Sequence, residues 1–300
     1  MKIGVIGLGG IAQKAYLPLY SQMQDQAEFY LCSRDPQKAQ TLAQRYGLSA
    51  VADMQELKAM GITGCFVHTA TATHYTIVKE LLEAGIAVYV DKPLSERLEE
   101  VEELERLAQA KGVLLQVGFN RRFAPLVEKL HQVPDKHVLV LQKNRVSATQ
   151  TPAFAIYDLF IHVVDTLLYL LDGPLIKVDS TIVEEAGVLQ RVILQAHTAT
   201  TTGIASMDMQ AGANRESYEV TSNGGSYLLE NLTNLHFYSP QGVQTTQLGD
   251  WTPTLTARGF EPAVQHFLTS LQNGSNTVAV HALSHELCQQ ILRKHQRLTM

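Results

Sequence analysis

The sequence predicts an α/β protein with two domains: a doubly wound parallel sheet over residues 1–119, and an α+β domain with a mostly antiparallel, open-faced sheet over residues 120–300. Three observations lead to this prediction. Short apolar strand patterns alternate with amphipathic helical patterns through the first 120 residues. That alternation stops near residue 120, and residues 175–248 instead show the period-two pattern of half-buried strands. A chain of 300 residues is also long enough to split into two domains.

The first domain is predicted from near-continuous apolar runs, which are typical of strands covered on both faces. These runs are KIGVIG, EFYLCSR, GCFVHTA, AVYVDK and LLQVGFN. Asp35 and Pro36 predict the start of a helix, and Gly47 predicts its end. Gly85 and Gly112 end two further helical patterns. Repeated strand–helix–strand units favour parallel pairing with right-handed crossovers.

The second domain begins with a very apolar helix, DLFIHVVDTLLYLL. Alternating strand segments follow it, and Asn223-Gly224-Gly225 is a strong hairpin signal. Two helical patterns, 258–272 and 281–298, close the chain, and these helices could pack back on the first domain.

Composition excludes several classes of protein. The net charge of −5 leaves no basic surplus for nucleic acid. No apolar run approaches the roughly 18 to 20 residues of a membrane span, and the first residues resemble a strand rather than a signal peptide. Three cysteines without CxxC spacing make a disulfide or zinc framework improbable. We therefore expect a cytoplasmic protein.

A glycine-rich turn follows the first strand and opens a helix. In that context the G-x-G-x-x-A string is typical of a Rossmann dinucleotide site. Its candidate cofactor-binding residues are Gly7, Gly9, Gly10, Ile11 and Ala12. Gly7 would allow the tight turn, Gly9 the close approach of a pyrophosphate, and the helix end would receive the anion. The alternative is an ordinary strand–helix turn.

The end of the second strand indicates which nucleotide binds. An acidic residue there would favour NAD, whereas this chain has Ser33 and Arg34. A hydroxyl and a guanidinium suit a 2′-phosphate, so we expect NADP, with NAD as the alternative. Asp35 is better explained as the helix cap than as a ribose ligand.

A lysine lies at the carboxyl end of a predicted strand, where ligands of open α/β sheets bind. The string is Asp91-Lys92-Pro93. Pro93 should keep Lys92 out of the helical region, and Asp91 could hold the lysine ammonium or face the nicotinamide. The alternative is a strand-ending lysine with no function.

The apolar helix carries three ionisable residues, Asp158, His162 and Asp165, whose spacing places them on one face. Burying ionisable groups is costly without partners. One alternative is that Asp158 caps the helix and His162 is a core residue. A carboxylate one turn from an imidazole favours an oriented acid–base pair.

Together these motifs resemble the Gfo/Idh/MocA family of NAD(P)-dependent oxidoreductases, which act mostly on sugars and polyols, and more narrowly its MviM-like branch. The resemblance covers essentially the whole chain. It rests on the turn at Gly7, the string at Lys92, GFNRRF at 118–123 and the helix with His162. It implies that Lys92 is catalytic, that its peptide bond to Pro93 can be cis, and that Asp158 and His162 complete the catalytic site.

The resemblance also extends the set of expected cofactor contacts. His74 matches a histidine common in the family, and Thr69 precedes it on the same loop. Asn120 and Arg121 are expected on the nicotinamide or substrate side, or else in a set of hinge hydrogen bonds. The commoner family string has Glu where this chain has Asp91, and a proline often found after the fourth strand is missing.

The hypothesis is reversible hydride transfer between a nicotinamide and a secondary alcohol of a sugar-like small molecule. The rival is an NADP-binding regulator or scaffold without turnover. A metal site at His281 and His285 would need a third ligand, so we expect no metal. The uncovered sheet favours a homodimer or larger homo-oligomer.

Overall fold

The structure is a computed structural model, and it describes residues 1–275 and 282–299. The chain divides into two compact units. The first consists of Met1–Gly118 and Phe260–Leu283, and the second of Phe119–Gly259 and Ser284–Met300.

The helices and strands follow in chain order. The strands are β1 (Lys2–Ile6), β2 (Glu28–Cys32), β3 (Ser49–Val51), β4 (Gly64–Val67), β5 (Ala87–Val90), β6 (Leu115–Val117), β7 (Lys136–Asn144), β8 (Lys177–Glu185), β9 (Val188–His197), β10 (Thr202–Asp208), β11 (Arg215–Ser222), β12 (Gly225–Glu230), β13 (Asn234–Ser239) and β14 (Gly242–Gln247). The α-helices are α1 (Leu17–Gln22), α2 (Pro36–Tyr46), α3 (Met54–Ala59), α4 (His74–Glu83), α5 (Leu98–Lys111), α6 (Pro125–His131), α7 (Pro152–Ala155), α8 (Ile161–Leu170), α9 (Thr254–Ala257), α10 (Phe260–Gln272) and α11 (Ala282–Thr299).

The first unit contains a six-stranded parallel sheet in the order β3-β2-β1-β4-β5-β6. Every residue of β4 and β5 is buried, as expected for strands covered on both faces. The doubly wound parallel sheet predicted from the sequence is confirmed. The strand β3 was not predicted, because its three residues are too few to show a periodic pattern.

Helix α2 illustrates how local sequence sets the ends of an element. The Asp35 carboxylate accepts a hydrogen bond from the Lys38 amide at 3.1 Å, so Asp35 is the N-cap. Gly47 ends the helix in the left-handed conformation, with φ of 69°. Both ends lie where the sequence placed them, and the cap fixes the start of α2 beside the end of β2.

The second unit contains an eight-stranded sheet in the order β14-β13-β12-β11-β7-β10-β9-β8. All neighbours are antiparallel except β7 and β10, which run parallel. The hairpin predicted at Asn223-Gly224-Gly225 joins β11 to β12. These pairings confirm the mostly antiparallel sheet predicted from the sequence. Helix α8 packs so closely on this sheet that a Cβ at Gly203 would lie 2.6 Å from Leu167.

The apolar helix is longer than the sequence indicated. Helical structure runs from Pro152 to Leu170 and includes a wide π-type turn at Ile156–Phe160. This 19-residue helical segment is long and apolar enough to cross a membrane, but 61% of its apolar stretch is buried inside the protein. Such burial is typical of a core helix.

Candidate active site

The glycine turn after β1 combines one obligatory glycine with open space. Gly7 has a φ of 93°, and a Cβ there would lie 2.6 Å from backbone atoms of His68 and Thr69. Only glycine fits such a position. At Gly9 and Gly10 a Cβ would meet no protein atom within 4 Å. The first glycine is therefore required by the fold, whereas the next two border a space that a ligand can approach.

This open space belongs to a cleft of about 670 Å³ at the carboxyl ends of β1, β2 and β4. Five predicted cofactor residues line it, namely Gly7, Gly9, Ser33, Arg34 and Thr69. The position matches the place where ligands bind in open α/β sheets. Gly10 and Ile11 are already helical, and Ala12 is buried at the start of a π-type turn, Ala12–Tyr16. The residues present fit a dinucleotide whose pyrophosphate lies at the glycine turn.

The end of the cleft at β2 carries positive charge. Arg34 and Lys38 line it with exposed side chains, beside the Ser33 hydroxyl. Sequence reasoning missed Lys38, although its position four residues after Arg34, on the first turn of α2, was a readable signal. Cys32 lines the same wall, and burial raises the pKa of its thiol to about 11. The thiol therefore stays protonated near neutral pH.

A carboxylate that the sequence analysis did not select also lines the cleft. Asp53 caps α3 by accepting a hydrogen bond from the Glu56 amide at 2.9 Å. Asp35, by contrast, is occupied at the start of α2 as predicted.

The carboxyl end of β5 carries Asp91, whose carboxylate is held by two aromatic residues. It accepts hydrogen bonds from the Tyr16 hydroxyl at 2.6 Å and from Nδ1 of His68 at 2.9 Å. Burial acts to raise the pKa of Asp91, but the charge and hydrogen bond of His68, with the Tyr16 hydrogen bond, outweigh it and lower that pKa. The Lys92–Pro93 peptide bond is cis, and Lys92 is half-buried.

Sequence reasoning missed the aromatic residues around Asp91. His68 ends β4 at the same sheet edge as Lys92, which was a usable signal, whereas nothing in the sequence pointed to Tyr16. The ring of Tyr16 stacks on that of His68 with centroids 3.9 Å apart. The Tyr20 hydroxyl lies 2.7 Å from Nε2 of His68.

His74 does not line the cleft. Its buried ring lies 2.9 Å from the Pro93 carbonyl through Nδ1 and 3.0 Å from the Thr69 carbonyl through Nε2. Burial lowers the pKa of this imidazole. His74 therefore connects the cleft wall at Thr69 to the turn that follows Lys92.

In the second unit, Asp158 and His162 are half-buried near the π-type turn. The helical segment begins at Pro152 with Thr151 as its cap, so Asp158 does not cap the helix. Single-turn π segments are frequent at functional sites. Asp165 is almost fully buried, and it accepts two hydrogen bonds from Arg122 at 2.6 and 2.7 Å.

Asn120 and Arg121 also lie in the second unit and have internal partners. The Asn120 amide donates to the Arg258 carbonyl at 2.7 Å. Arg121 forms a buried bidentate ion pair with Glu216, which also accepts hydrogen bonds from Lys143 and Tyr218. These contacts favour the alternative in which both residues form structural hydrogen bonds.

No group of three metal-ligating side chains comes together within residues 1–275 and 282–299. His285 is buried beside the Phe119 ring, and His281 lies outside the described residues.

Comparison with known proteins identifies the family. Residues 1–119 match the model GFO_IDH_MocA, described as an oxidoreductase family with an NAD-binding Rossmann fold, and residues 125–239 match the YceM-like C-terminal domain. The chain is 34% identical over 277 residues to YceM of Salmonella typhimurium, a match that covers 91% of this chain and 90% of YceM.

Two solved structures agree over nearly the whole length. A Gfo/Idh/MocA family oxidoreductase from Vibrio cholerae has a TM-score of 0.90 and 31% identity, with 100% of both chains covered. A dehydrogenase (MviM) from Clostridium difficile has a TM-score of 0.87 and 30% identity, with 99% of both chains covered. The chain therefore belongs to the Gfo/Idh/MocA family of oxidoreductases, among its MviM-like members.

Proposed function

We propose that this protein is an NADP-dependent dehydrogenase that oxidises a secondary alcohol of a sugar or polyol, or reduces the matching ketone. The observation that carries the proposal is the cleft, in which an obligatory glycine turn and open space at Gly9 and Gly10 adjoin two cations. Family membership supports the oxidoreductase class.

The preference for NADP rests on the charges at the β2 end of the cleft. Arg34 and Lys38 supply two positive charges and Ser33 a hydroxyl, which together suit a 2′-phosphate. Asp35, the neighbouring carboxylate that could bind the ribose hydroxyls of NAD, is already used as the cap of α2. Binding of NADPH should therefore be tighter than binding of NADH.

The substrate class is inferred from relatives. One of them, the D-glucoside 3-dehydrogenase of Escherichia coli, is 25% identical over 195 residues. We expect the loop 147–157 of the second unit to determine which sugar or polyol binds. Phe154 in this loop is 51% exposed, so it is accessible to a ligand.

Lys92, His162 and Asp158 are the proposed catalytic residues. NADP, when bound, would accept or donate the hydride. During oxidation His162 would take the hydroxyl proton as general base, and Asp158 would orient its ring. Lys92 would donate a hydrogen bond to the substrate oxygen and stabilise its developing negative charge.

Two further properties belong to the same proposal. The face of the second sheet away from α8 exposes apolar side chains such as Val138 and Ile193, at 39% and 38%. Burying such a face in a homodimer or larger homo-oligomer would be favourable. We also propose a cytoplasmic location, because Cys32, Cys65 and Cys288 are free thiols.

The test is a fluorescence titration of the purified protein with NADPH and NADH, in wild type, Arg34→Ala and Lys38→Ala. We expect NADPH to bind more tightly, and each substitution to weaken NADPH binding about 10-fold while leaving NADH binding nearly unchanged. Failure of the wild type to bind either nucleotide would overturn the proposal. Binding without turnover of any sugar or polyol would favour a regulator or scaffold.

A further inference from the structure

The residue before Lys92 is held on both carboxylate oxygens. The Asp91 amide donates to the Val67 carbonyl at 3.0 Å, which fixes the backbone at the end of β5. Oδ1 accepts from Tyr16 and Oδ2 from His68. Because the Asp91 side chain is only 14% exposed, turning it away would leave buried donors unsatisfied.

The donors around Asp91 are themselves fixed. The Asp91 carboxylate only accepts, so Nδ1 of His68 donates to it, and Nε2 of the same ring lies 2.7 Å from the Tyr20 hydroxyl. The Tyr16 hydroxyl also lies 3.2 Å from that of Tyr89. The His68 ring thus has a hydrogen-bond partner at each of its two nitrogens within this buried network.

The residue after Lys92 is held as well. The buried His74 ring contacts the Pro93 carbonyl on one side and the Thr69 carbonyl on the other. Thr69 lines the cleft, so this ring ties the turn at Lys92 to the cofactor wall. Both neighbours of Lys92 in the chain are consequently restrained by buried side chains of the first unit.

We infer that Tyr16, His68 and His74 are positioning residues, which fix Asp91 and Pro93 and thereby aim Lys92 at the reacting oxygen. The inference rests on the proposed function for its catalytic meaning, but the restraint itself is a property of the chain alone.

The decisive measurement is hydrogen exchange of the Asp91 amide in the full chain without nucleotide, for wild type, Tyr16→Phe and His74→Leu. Tyr30→Phe is the matched control, because the Tyr30 hydroxyl also donates to a carboxylate at 2.6 Å, but on an exposed surface. We expect exchange about 10-fold faster in Tyr16→Phe and His74→Leu and unchanged in Tyr30→Phe. The amides of β1 should keep their wild-type rates.

Unchanged exchange at Asp91 in both variants would overturn the inference. Equal acceleration throughout β1 would also overturn it, because it would mean loss of stability of the whole unit. A kinetic measurement adds the functional consequence, with whichever of myo-inositol and methyl β-D-glucoside the wild type oxidises. Tyr16→Phe should lower kcat about 10-fold while the Kd for NADPH stays within about 2-fold.

These results separate the two proposals. If the wild type binds no NADPH but Asp91 exchange is faster in Tyr16→Phe, the proposed dehydrogenase activity is refuted and the restraint on the neighbours of Lys92 is supported. A wild type that turns over substrate, with variants that match it in exchange and kcat, would refute the restraint alone.

Discussion

Two glycines of the cofactor turn, only two residues apart, should respond to alanine in opposite ways. Gly7→Ala forces a Cβ to 2.6 Å from the backbone of His68 and Thr69 at a φ of 93°. Backbone strain and overpacking each cost about 1–3 kcal/mol, so we expect a loss of unfolding free energy of about 3 kcal/mol. Gly9→Ala meets no protein atom within 4 Å and has no left-handed φ, so stability should change by less than about 1 kcal/mol.

The effects on cofactor binding should reverse this order of severity. Urea unfolding without nucleotide gives the stability of each variant, and NADPH titration gives its affinity. The new methyl group in Gly9→Ala would fill the space that a pyrophosphate approaches, so NADPH affinity should fall by about 10-fold or more. A stable Gly9→Ala that binds NADPH as the wild type does would refute this account of the cleft. A Gly7→Ala of unchanged stability would refute the clash.

Three other predictions concern charge. Glu216→Gln leaves Arg121 and Lys143 buried without their carboxylate, and should lower the free energy of unfolding by roughly 3–5 kcal/mol in urea titrations; a loss below about 1 kcal/mol would contradict it. Burial and the nearby Arg121 charge lower the pKa of Lys143 to about 8 in the folded chain. Between that pH and about 10.4, the pKa of an unperturbed lysine, Lys143 is protonated in the unfolded chain but largely deprotonated in the folded chain. Stability should rise with pH across this window in wild type and rise less in Lys143→Met, measured by denaturation at each pH. Because Arg34 and Lys38 are exposed, added salt should weaken NADPH binding more than NADH binding, and equal salt dependence of the two Kd values would argue against a 2′-phosphate site.

The fold was readable because its signals are local. Near-continuous apolar strands, the Asp35 cap and Gly47 each follow from a few neighbouring residues, and the structure has them where the sequence predicted. The short strand β3 and the wide turn at Ile156–Phe160 could not be predicted, because neither has a periodic pattern of its own. The parallel pairing of β7 with β10 could not be predicted either, because it joins strands that are far apart in sequence.

The candidate site was readable only where residue type and strand ends coincide. Gly7 and Arg34 adjoin strand ends and were selected, whereas Lys38 was missed although its place one turn after Arg34 was a usable signal. Tyr16 could not be found, because only the three-dimensional path after the glycine turn brings it to Asp91. Arg121 was selected as a possible contact of the cofactor or substrate, but it forms a buried ion pair with Glu216. No local sequence pattern indicates this pairing, because the two residues are far apart in the chain.

The most direct test of the central claim is nicotinamide absorbance in mixtures of NADP⁺ with a panel of sugars and polyols. The panel includes myo-inositol, scyllo-inositol and methyl β-D-glucoside, and the proteins are wild type, Lys92→Ala and His162→Ala. We expect wild type to reduce NADP⁺ with at least one alcohol, and each variant to lose about 100-fold or more in kcat while still binding NADPH. Equal rates in wild type and both variants, or no reduction with any alcohol despite tight NADPH binding, would contradict the account.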